Sequence, residues 1–559
     1  MKNLFQNISS KTIGYFLLFT LFSFYLMDLG NPQALTQGTE GFYLKITKEM
    51  YEAKSILTPL YLGEPHWSKP PLHFWMPFPF YLLSGGFSLW AARLCMLFLT
   101  WGGLIYISRW LFRHAQIDKF LSIIFMASTL AFFKYARIYM MEAPLAIFST
   151  CAALSFYDFL IFKHKPYFWR ATLLLACATL IKGPVALVMA AGGMGLTTIY
   201  FHLVRKEKHW RPLILWGLFS TLLASLWFIA CYIKYGSAFF DYFFLRENMG
   251  KFSSKAYPMS SLFKGLLSYS LPWILFLPLA LYHIYKKVHP LFDLKRSPLI
   301  PFLGFHFFVF FVLWLIPNQR SYHYAIPSIP FLLLIIILGI FAPAPRTDED
   351  DTSSKLTNIV WVICGVVTLL LSGLCIFVLA FAGPMLTFLG YLKALATLIT
   401  IIIAFVILMR RIGPEWKMSA CLWVIGAVWT LFIPIFFLPL VPSEVADIVA
   451  RETDKQSLAV IYRKPFFVEE VIQTPIKVYD ASEASKTLCK HPLTFMPQWA
   501  LEKNKLQSKV EILKIWPIWK RGNETADFVK AYEQKNLSLL QENMVLVRGK
   551  ACYKNKHEH

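Results

Sequence analysis

Two carboxylates and a set of cations in this chain lie where apolar stretches begin or end. Glu40 opens a segment with helical spacing, and Glu142 follows Arg137-Ile-Tyr-Met-Met at the edge of a long apolar run. Ionisable side chains beside hydrocarbon are costly, so such residues are candidates for function. Carboxylates there suit a general base and its orienting partner in transfer to a hydroxyl. Plainer roles remain open: Glu40 complements a helix N-terminus, and Glu142 pairs with Arg137. The cations are Lys69 in Trp67-Ser-Lys-Pro-Pro-Leu, Lys182 before Gly183-Pro184, Arg246, Lys251 and Lys255 in one loop, and Arg320 in Pro317-Asn-Gln-Arg-Ser-Tyr-His-Tyr. A lysine keeps its stem in apolar surroundings while its ammonium reaches the boundary. An arginine fork matches phosphate oxygens in pairs. Each is a snorkelling or solvated charge when taken alone; several at one lipid boundary point to phosphate. His66, His73 and His323 show no zinc spacing, and the sequence contains no phosphate-binding loop, dinucleotide glycine motif or nucleophile elbow.

The elements that must position these residues are membrane helices. The 559 residues are 57% hydrophobic, 17% aromatic and only 16% charged, too apolar for a water-soluble chain. About thirteen apolar spans fit between residues 12 and 440, near 12–30, 89–112, 118–138, 143–162, 168–182, 184–203, 211–233, 264–285, 298–316, 322–342, 356–381, 386–409 and 418–440. The first reads as an uncleaved anchor. The net charge of +23 comes from Lys and Arg flanking these spans, which fits anionic headgroups rather than nucleic acid. With the N-terminus inside, the basic clusters fall in inner connections, and Glu40, Lys69, Glu142, Lys182 and Arg320 fall in outer ones. The acidic run Asp348-Glu349-Asp350-Asp351 departs from the pattern only mildly, because acidic residues count little in that rule.

Residues 31–88 form a large outer loop on this reading. Glu40 to Tyr51 has the spacing of an interfacial helix, and the proline-rich stretch Pro70 to Ser88 is expected to lie in the interface as an amphipathic helix. From Val441 to His559 short β-rich runs (Leu458–Tyr462, Ile476–Tyr479, Met544–Val547) alternate with helical ones (Ala481–Cys489, Ala526–Lys535), which predicts a small α/β domain outside the membrane. Seven of the nine Cys lie in or near spans as small apolar residues; Cys489 and Cys552 lie in the tail, where a disulfide is possible. The expected fold is therefore an all-α polytopic membrane protein with a small C-terminal α/β domain.

The motifs Thr39-Glu40-Gly-Phe-Tyr43 with Lys48-Glu-Met50, Lys69-Pro-Pro-Leu72, Leu180-Ile-Lys-Gly183, Phe244-Leu-Arg-Glu-Asn-Met-Gly-Lys-Phe252 and Pro317-Asn-Gln-Arg-Ser-Tyr-His-Tyr324 resemble, in order and in common outward placement, multi-span glycosyltransferases that use polyprenyl-phosphate sugars. The likeness is to the bacterial branch with lipid A aminoarabinose transferases and protein O-mannosyltransferases, and covers about residues 12–440. It implies a GT-C type fold, inverting transfer from a lipid phosphate at the periplasmic face of a bacterial inner membrane, and a periplasmic C-terminal domain. It further implies an acid in the first outer loop as base and a second acid in the next. Those positions fall on Glu40 and Glu142. The donor would be held by Lys69, Lys182, Arg320 and Lys251, with Tyr43, Asn248, His323 and Tyr324 beside it. The chain departs from the family in carrying Thr39 where Asp is usual, Glu142 where the second acid is usually Asp, and Phe42 in place of an Arg.

The implied partners are a polyprenyl-phosphate sugar, membrane lipids, and lipid A, a glycan or a protein as acceptor, with no nucleic acid. Neither nucleotide nor metal is required, although a divalent cation is compatible. Three other readings stay open: a polymerase or ligase with a pyrophosphate-linked donor, a lipid-glycan transporter, and a binding-only relative suggested by Thr39. A transporter should carry charges along a path through its bundle, whereas here they gather at one face.

Overall fold

The computed structural model describes residues 10–31, 39–250, 257–286, 289–295, 297–342, 350–382, 386–452, 457–462, 465–488, 490–520 and 525–550. Lys251, Lys255, Asp348, Glu349, Cys489 and Cys552 lie outside the described residues. The protein is a multi-span helical membrane protein with a small C-terminal sheet. Among the described residues, eight helices are long and apolar enough to cross a membrane. A pair bent by 91°, Ser260–Tyr269 with Trp273–Tyr285, makes a ninth if counted as one span, and Pro272 lies at the bend. Thr12–Leu26 and Leu299–Leu315 are apolar but shorter. Lys165–Lys182 fills a further expected span.

Two expectations change in detail. The span expected at 118–138 is two helices, Lys119–Ala127 and Leu130–Tyr135. Ser128 and Thr129 separate them, and their hydroxyls donate to the carbonyls of Ile124 (2.6 Å) and Phe125 (3.3 Å for Thr129), competing with the backbone ladder. The stretch 70–88 is not one amphipathic helix either. It forms Leu72–Trp75 and Phe78–Leu83, with Pro77 and Pro79 at the start of the second, where a missing N–H costs nothing. Glu40–Glu52 is helical as the spacing predicts.

The chain divides into two compact units. One comprises Met1–Leu29, Ile46–Ser372 and Thr397–Val428; the other comprises Gly30–Lys45, Gly373–Ala396 and Trp429–His559. In the first, helices approach so closely that a Cβ at Gly103 would lie 2.4 Å from Ile147, and one at Gly193 2.6 Å from His306. Asp158, fully buried, ties three helices together: it accepts from Arg113 at 2.5 Å, meets His114 Nε2 at 2.7 Å and lies 3.6 Å from Arg170. A buried carboxylate is tolerable because it is paired on several sides. The seven described Cys are unpaired, and six are buried.

The first unit also carries a small hairpin, β1 (Leu60–Tyr61) with β2 (Glu64–Pro65). The second unit holds a five-stranded mixed sheet of β3 (Leu458–Val460), β4 (Ile476–Val478), β5 (Thr494–Pro497), β6 (Val510–Trp519) and β7 (Gln541–Gly549), in the order β4-β3-β5-β7-β6. β3 runs parallel to β4 and β5, and β7 antiparallel to β5 and β6, with Val460 opposite Val478 and Trp516 opposite Met544. Val460, Phe495, Trp516 and Leu546 fill its core. The sequence pattern missed β5 and β6. β6 contains Pro517 and a register shift between Ile512 and Lys514, both tolerated because it is an edge strand.

Candidate functional site

The centre of the candidate site lies in the first unit, where three chain segments end together. Glu142 is the first residue of Glu142–Phe162, and Lys182 is the last of Lys165–Lys182. Each charge therefore sits at the helix end whose dipole favours it. Lys182 can end its helix because Gly183 takes φ +86°, a conformation L side chains rarely adopt, and Pro184 then precedes the helix Val185–Val204. Lys182 Nζ donates to Glu142 Oε1 at 3.2 Å, and both side chains are under a tenth exposed. His323 Nε2 lies 3.6 Å from the same oxygen, which is an ion-pair distance rather than a hydrogen bond. The ammonium of Lys182 also lies over the rings of Trp314 (4.8 Å) and Tyr324 (4.5 Å), which share its charge.

Glu142 Oε2 is buried and accepts no hydrogen bond among the described residues. A buried carboxylate oxygen without a donor is expensive, so it marks where a proton-donating ligand would be accepted. Glu142 is not the partner of Arg137, as their spacing allowed. Arg137 is buried, donates to the carbonyl of Met27 and lies over the ring of Phe133 at 4.8 Å. His73 is buried and stacks on Tyr139 at 4.3 Å. Burial pushes its imidazole down to about 3, against the attraction of Glu142 and with the repulsion of Lys182, so it is neutral at pH 7.

A second cluster in the same unit gathers Lys69, Glu247 and His66. Lys69 Nζ lies 3.6 Å from Glu247 and donates to the carbonyl of Ser68 at 2.6 Å. Glu247 and Asn248 sit on a π-helix, Asp241–Met249, a form found often at functional sites. Asn248 uses its amide on the carbonyl of Phe243 at 2.5 Å. Tyr242 Oη lies 3.0 Å from His66 Nδ1, and Arg246 covers the Tyr242 ring at 5.0 Å. Arg320 donates to the carbonyls of Leu315 (2.9 Å) and Tyr257 (3.0 Å), so part of its fork holds its own loop.

Burial lowers the His66 imidazole to about 4, partly opposed by Glu247. Below its ordinary value the unfolded chain takes up a proton that the folded chain resists. Stability should therefore be complete above about pH 6.5 and fall as pH drops toward 4. His66→Gln should flatten that part of the curve; thermal unfolding of both proteins at pH 4.5 and 7.5 measures it.

The second unit holds Glu40, buried at the start of its helix, and Tyr43, half-buried, with its ring 5.6 Å from Phe42. This turn rests on the C-terminal fold. Lys45 Nζ lies 2.8 and 3.1 Å from the Glu469 oxygens, and a Cβ at Gly41 would lie 3.0 Å from Phe467. Lys45 is thus committed to the C-terminal fold rather than to solvent.

The sequence reading brought out Glu142, Lys182, His323 and Tyr324, which meet, but missed Trp314 and Gly265. Gly265 sits in the helix Ser260–Tyr269, where a Cβ would lie 2.1 Å from the backbone oxygen of Tyr322. A lone Gly inside an apolar helical run was the available signal. Gly265→Ala should displace the turn Tyr322–Ser328 that carries His323, costing about 1–3 kcal/mol by overpacking. A lowered unfolding temperature together with reduced activity would be the expected result.

A family model described as dolichyl-phosphate-mannose-protein mannosyltransferase matches residues 33–240, the stretch that carries Glu40, Lys69, Glu142 and Lys182. An uncharacterized protein of Aquifex aeolicus is 25% identical over 318 residues, 56% of this chain and 60% of that one. The undecaprenyl phosphate-alpha-4-amino-4-deoxy-L-arabinose arabinosyl transferase 2 of Proteus mirabilis is 26% identical over 352 residues, 60% of this chain and 61% of that one. The chain thus spans about three fifths of the length of these two relatives. The crystal structure of ArnT from Cupriavidus metallidurans bound to undecaprenyl phosphate matches with a TM-score of 0.66 at 17% identity, over 96% of this chain and 98% of that one. The fold is that of ArnT, and the resemblance carried by the motifs is borne out.

Proposed function

We propose that this chain, a relative of the multi-span glycosyltransferases of GT-C fold, moves a sugar from a polyprenyl-phosphate donor to a hydroxyl or phosphate of its acceptor. The pairing of buried Glu142 with Lys182, with Oε2 of Glu142 left open, carries the reading. Lys182 binds the donor phosphate through N–H groups not committed to Glu142 and stabilises the charge that grows on the phosphate as the sugar leaves. Glu142 accepts the acceptor's proton at Oε2. As the leaving phosphate becomes more negative it draws on Lys182, so Glu142 is released toward the proton when it is needed. Trp314 and Tyr324 hold the ammonium in place, and His323 lies against the ion pair. Lys69 and Arg320 supply further cationic contacts to the donor, with Lys251, Tyr43 and Asn248 as the positions the resemblance adds. Glu40 is the acid of the first loop, and Thr39 in place of the family Asp shifts the base role toward Glu142.

Inverting transfer follows from direct attack on the side of the sugar opposite the phosphate. The active face and the domain 441–559 lie on the periplasmic side of a bacterial inner membrane, as the distribution of Lys and Arg supports. The acceptor is lipid A, another glycan or a protein. Side chains neutralise the donor phosphate in this scheme, so no divalent cation is needed. The test is transfer by purified protein from radiolabelled polyprenyl-phosphate sugars, with mass spectrometry of glycolipids from cells with and without the protein. Donor binding without transfer to lipid, glycan or protein acceptors would replace this reading with that of a binding-only relative.

A further inference from the structure

The second unit contains a cavity of about 580 Å³ that shares no residue with the site above, and whose size is ordinary for a small-ligand pocket. Phe377, Val378 and Phe381 of the helix Asp350–Ala382 form one wall. Trp519 of β6 and Phe528 and Tyr532 of the helix Thr525–Glu533 form another. Tyr532 packs 5.3 Å from Phe377 and 5.6 Å from Phe381. The indole N–H of Trp519 is already given to the carbonyl of Phe436 at 2.6 Å. The walls therefore offer water little to bond to. Lys520 is the one lining residue with a charged side chain, and it is exposed.

Two observations identify the occupant as hydrocarbon. The stretch Thr357–Phe381 is long and apolar enough to span a membrane, and most of it is exposed rather than packed against protein, as suits a lipid-facing helix whose last turn is 377–381. The helix Thr525–Glu533 also leaves Phe528, Val529 and Tyr532 about half exposed (54%, 50% and 52%), while Asp527, Lys530 and Glu533 supply polar positions. Bulky apolar side chains so displayed beside a spanning helix have the pattern of an element that lies in a lipid interface.

We propose that this cavity takes one acyl chain of an anionic phospholipid from the surrounding bilayer, with the lipid phosphate paired to Lys520. The bilayer's own acyl chains are the hydrocarbon nearest the wall formed by Phe377 and Phe381, and a single rim cation suits a single phosphate. The bound lipid fills the space between the spanning helix and the C-terminal fold and stabilises both by mass action.

The experiment uses full-length protein in nanodiscs of phosphatidylethanolamine containing phosphatidylglycerol with a diazirine near the end of one acyl chain. After irradiation, labelled peptides are mapped by mass spectrometry. Labelling should concentrate on the peptides spanning 377–381 and 528–532, well above the mostly exposed stretch 362–370 of the same spanning helix. Val378→Trp should remove most of that excess and leave 362–370 unchanged. Lys520→Gln should lower the preference for phosphatidylglycerol over a phosphatidylcholine probe by about fivefold. The wild-type map decides the matter even if Val378→Trp does not fold. Cavity labelling no higher than at 362–370 would overturn the proposal. So would labelling by a diazirine polyprenyl phosphate that excess phosphatidylglycerol fails to displace.

Discussion

Glu142→Gln should lower sugar transfer by about 10²–10⁴-fold, the usual worth of a positioned general base. The amide keeps the size of the carboxyl but cannot take a proton, so the loss should fall on kcat while the KM for donor changes little. Glu40→Gln serves as the comparison, with a loss of only about tenfold if Glu142 is the base. The structure motivates this order: Glu142 combines burial, an engaged oxygen at Lys182 and an open oxygen at Oε2. Steady-state transfer measured on both variants decides between the two acids. A larger loss at Glu40 than at Glu142 would move the base into the first loop.

Lys182→Met should be the most destabilising single change at the site. It leaves the Glu142 carboxylate buried without its main counter-charge, and breaking such a pair typically costs about 3–5 kcal/mol. It also removes the cation that Trp314 and Tyr324 surround. Adding Glu142→Gln to Lys182→Met should recover part of the stability, because no charge then remains unpaired, while transfer stays at background. Unfolding of the two single variants and the double in detergent gives the coupling. Additive losses, with no recovery in the double variant, would show that the contact holds little energy. In that case the 3.2 Å geometry could not carry the role assigned to it.

Much of the architecture was legible because hydrocarbon imposes a coarse requirement. A backbone crossing a membrane must satisfy its own hydrogen bonds, so each long apolar run had to be helical. Thirteen such runs were expected, and each is helical in the structure, although 118–138 is broken and 264–285 is bent. The breaks were harder to read. Ser128 and Thr129 can point outward or bond back to carbonyls, and their surroundings decide which. In the C-terminal region β3, β4 and β7 showed in the runs of β-branched residues. β6 was hidden by Pro517, which is acceptable only at a sheet edge, and edge position is a property of the whole sheet.

The site divides in the same way. Charge type and position by themselves determined that Glu142 and Lys182 were worth attention, since ionisable groups at helix ends near hydrocarbon are too costly to be common, whereas His323 and Tyr324 came to the site through the family resemblance. The sequence also determined the helix ends, through Lys182-Gly183-Pro184 and the apolar run after Glu142. Only the tertiary structure decided who pairs with whom. It gave Glu142 to Lys182 rather than to Arg137, surrounded the ammonium with Trp314 and Tyr324, and placed the backbone of Tyr322 against Gly265. Burial cost is local and can be read along a chain. Partnership depends on which helix ends are packed together, and Lys182 and His323 are each brought within 4 Å of Glu142 by close packing of helices that no local pattern encodes.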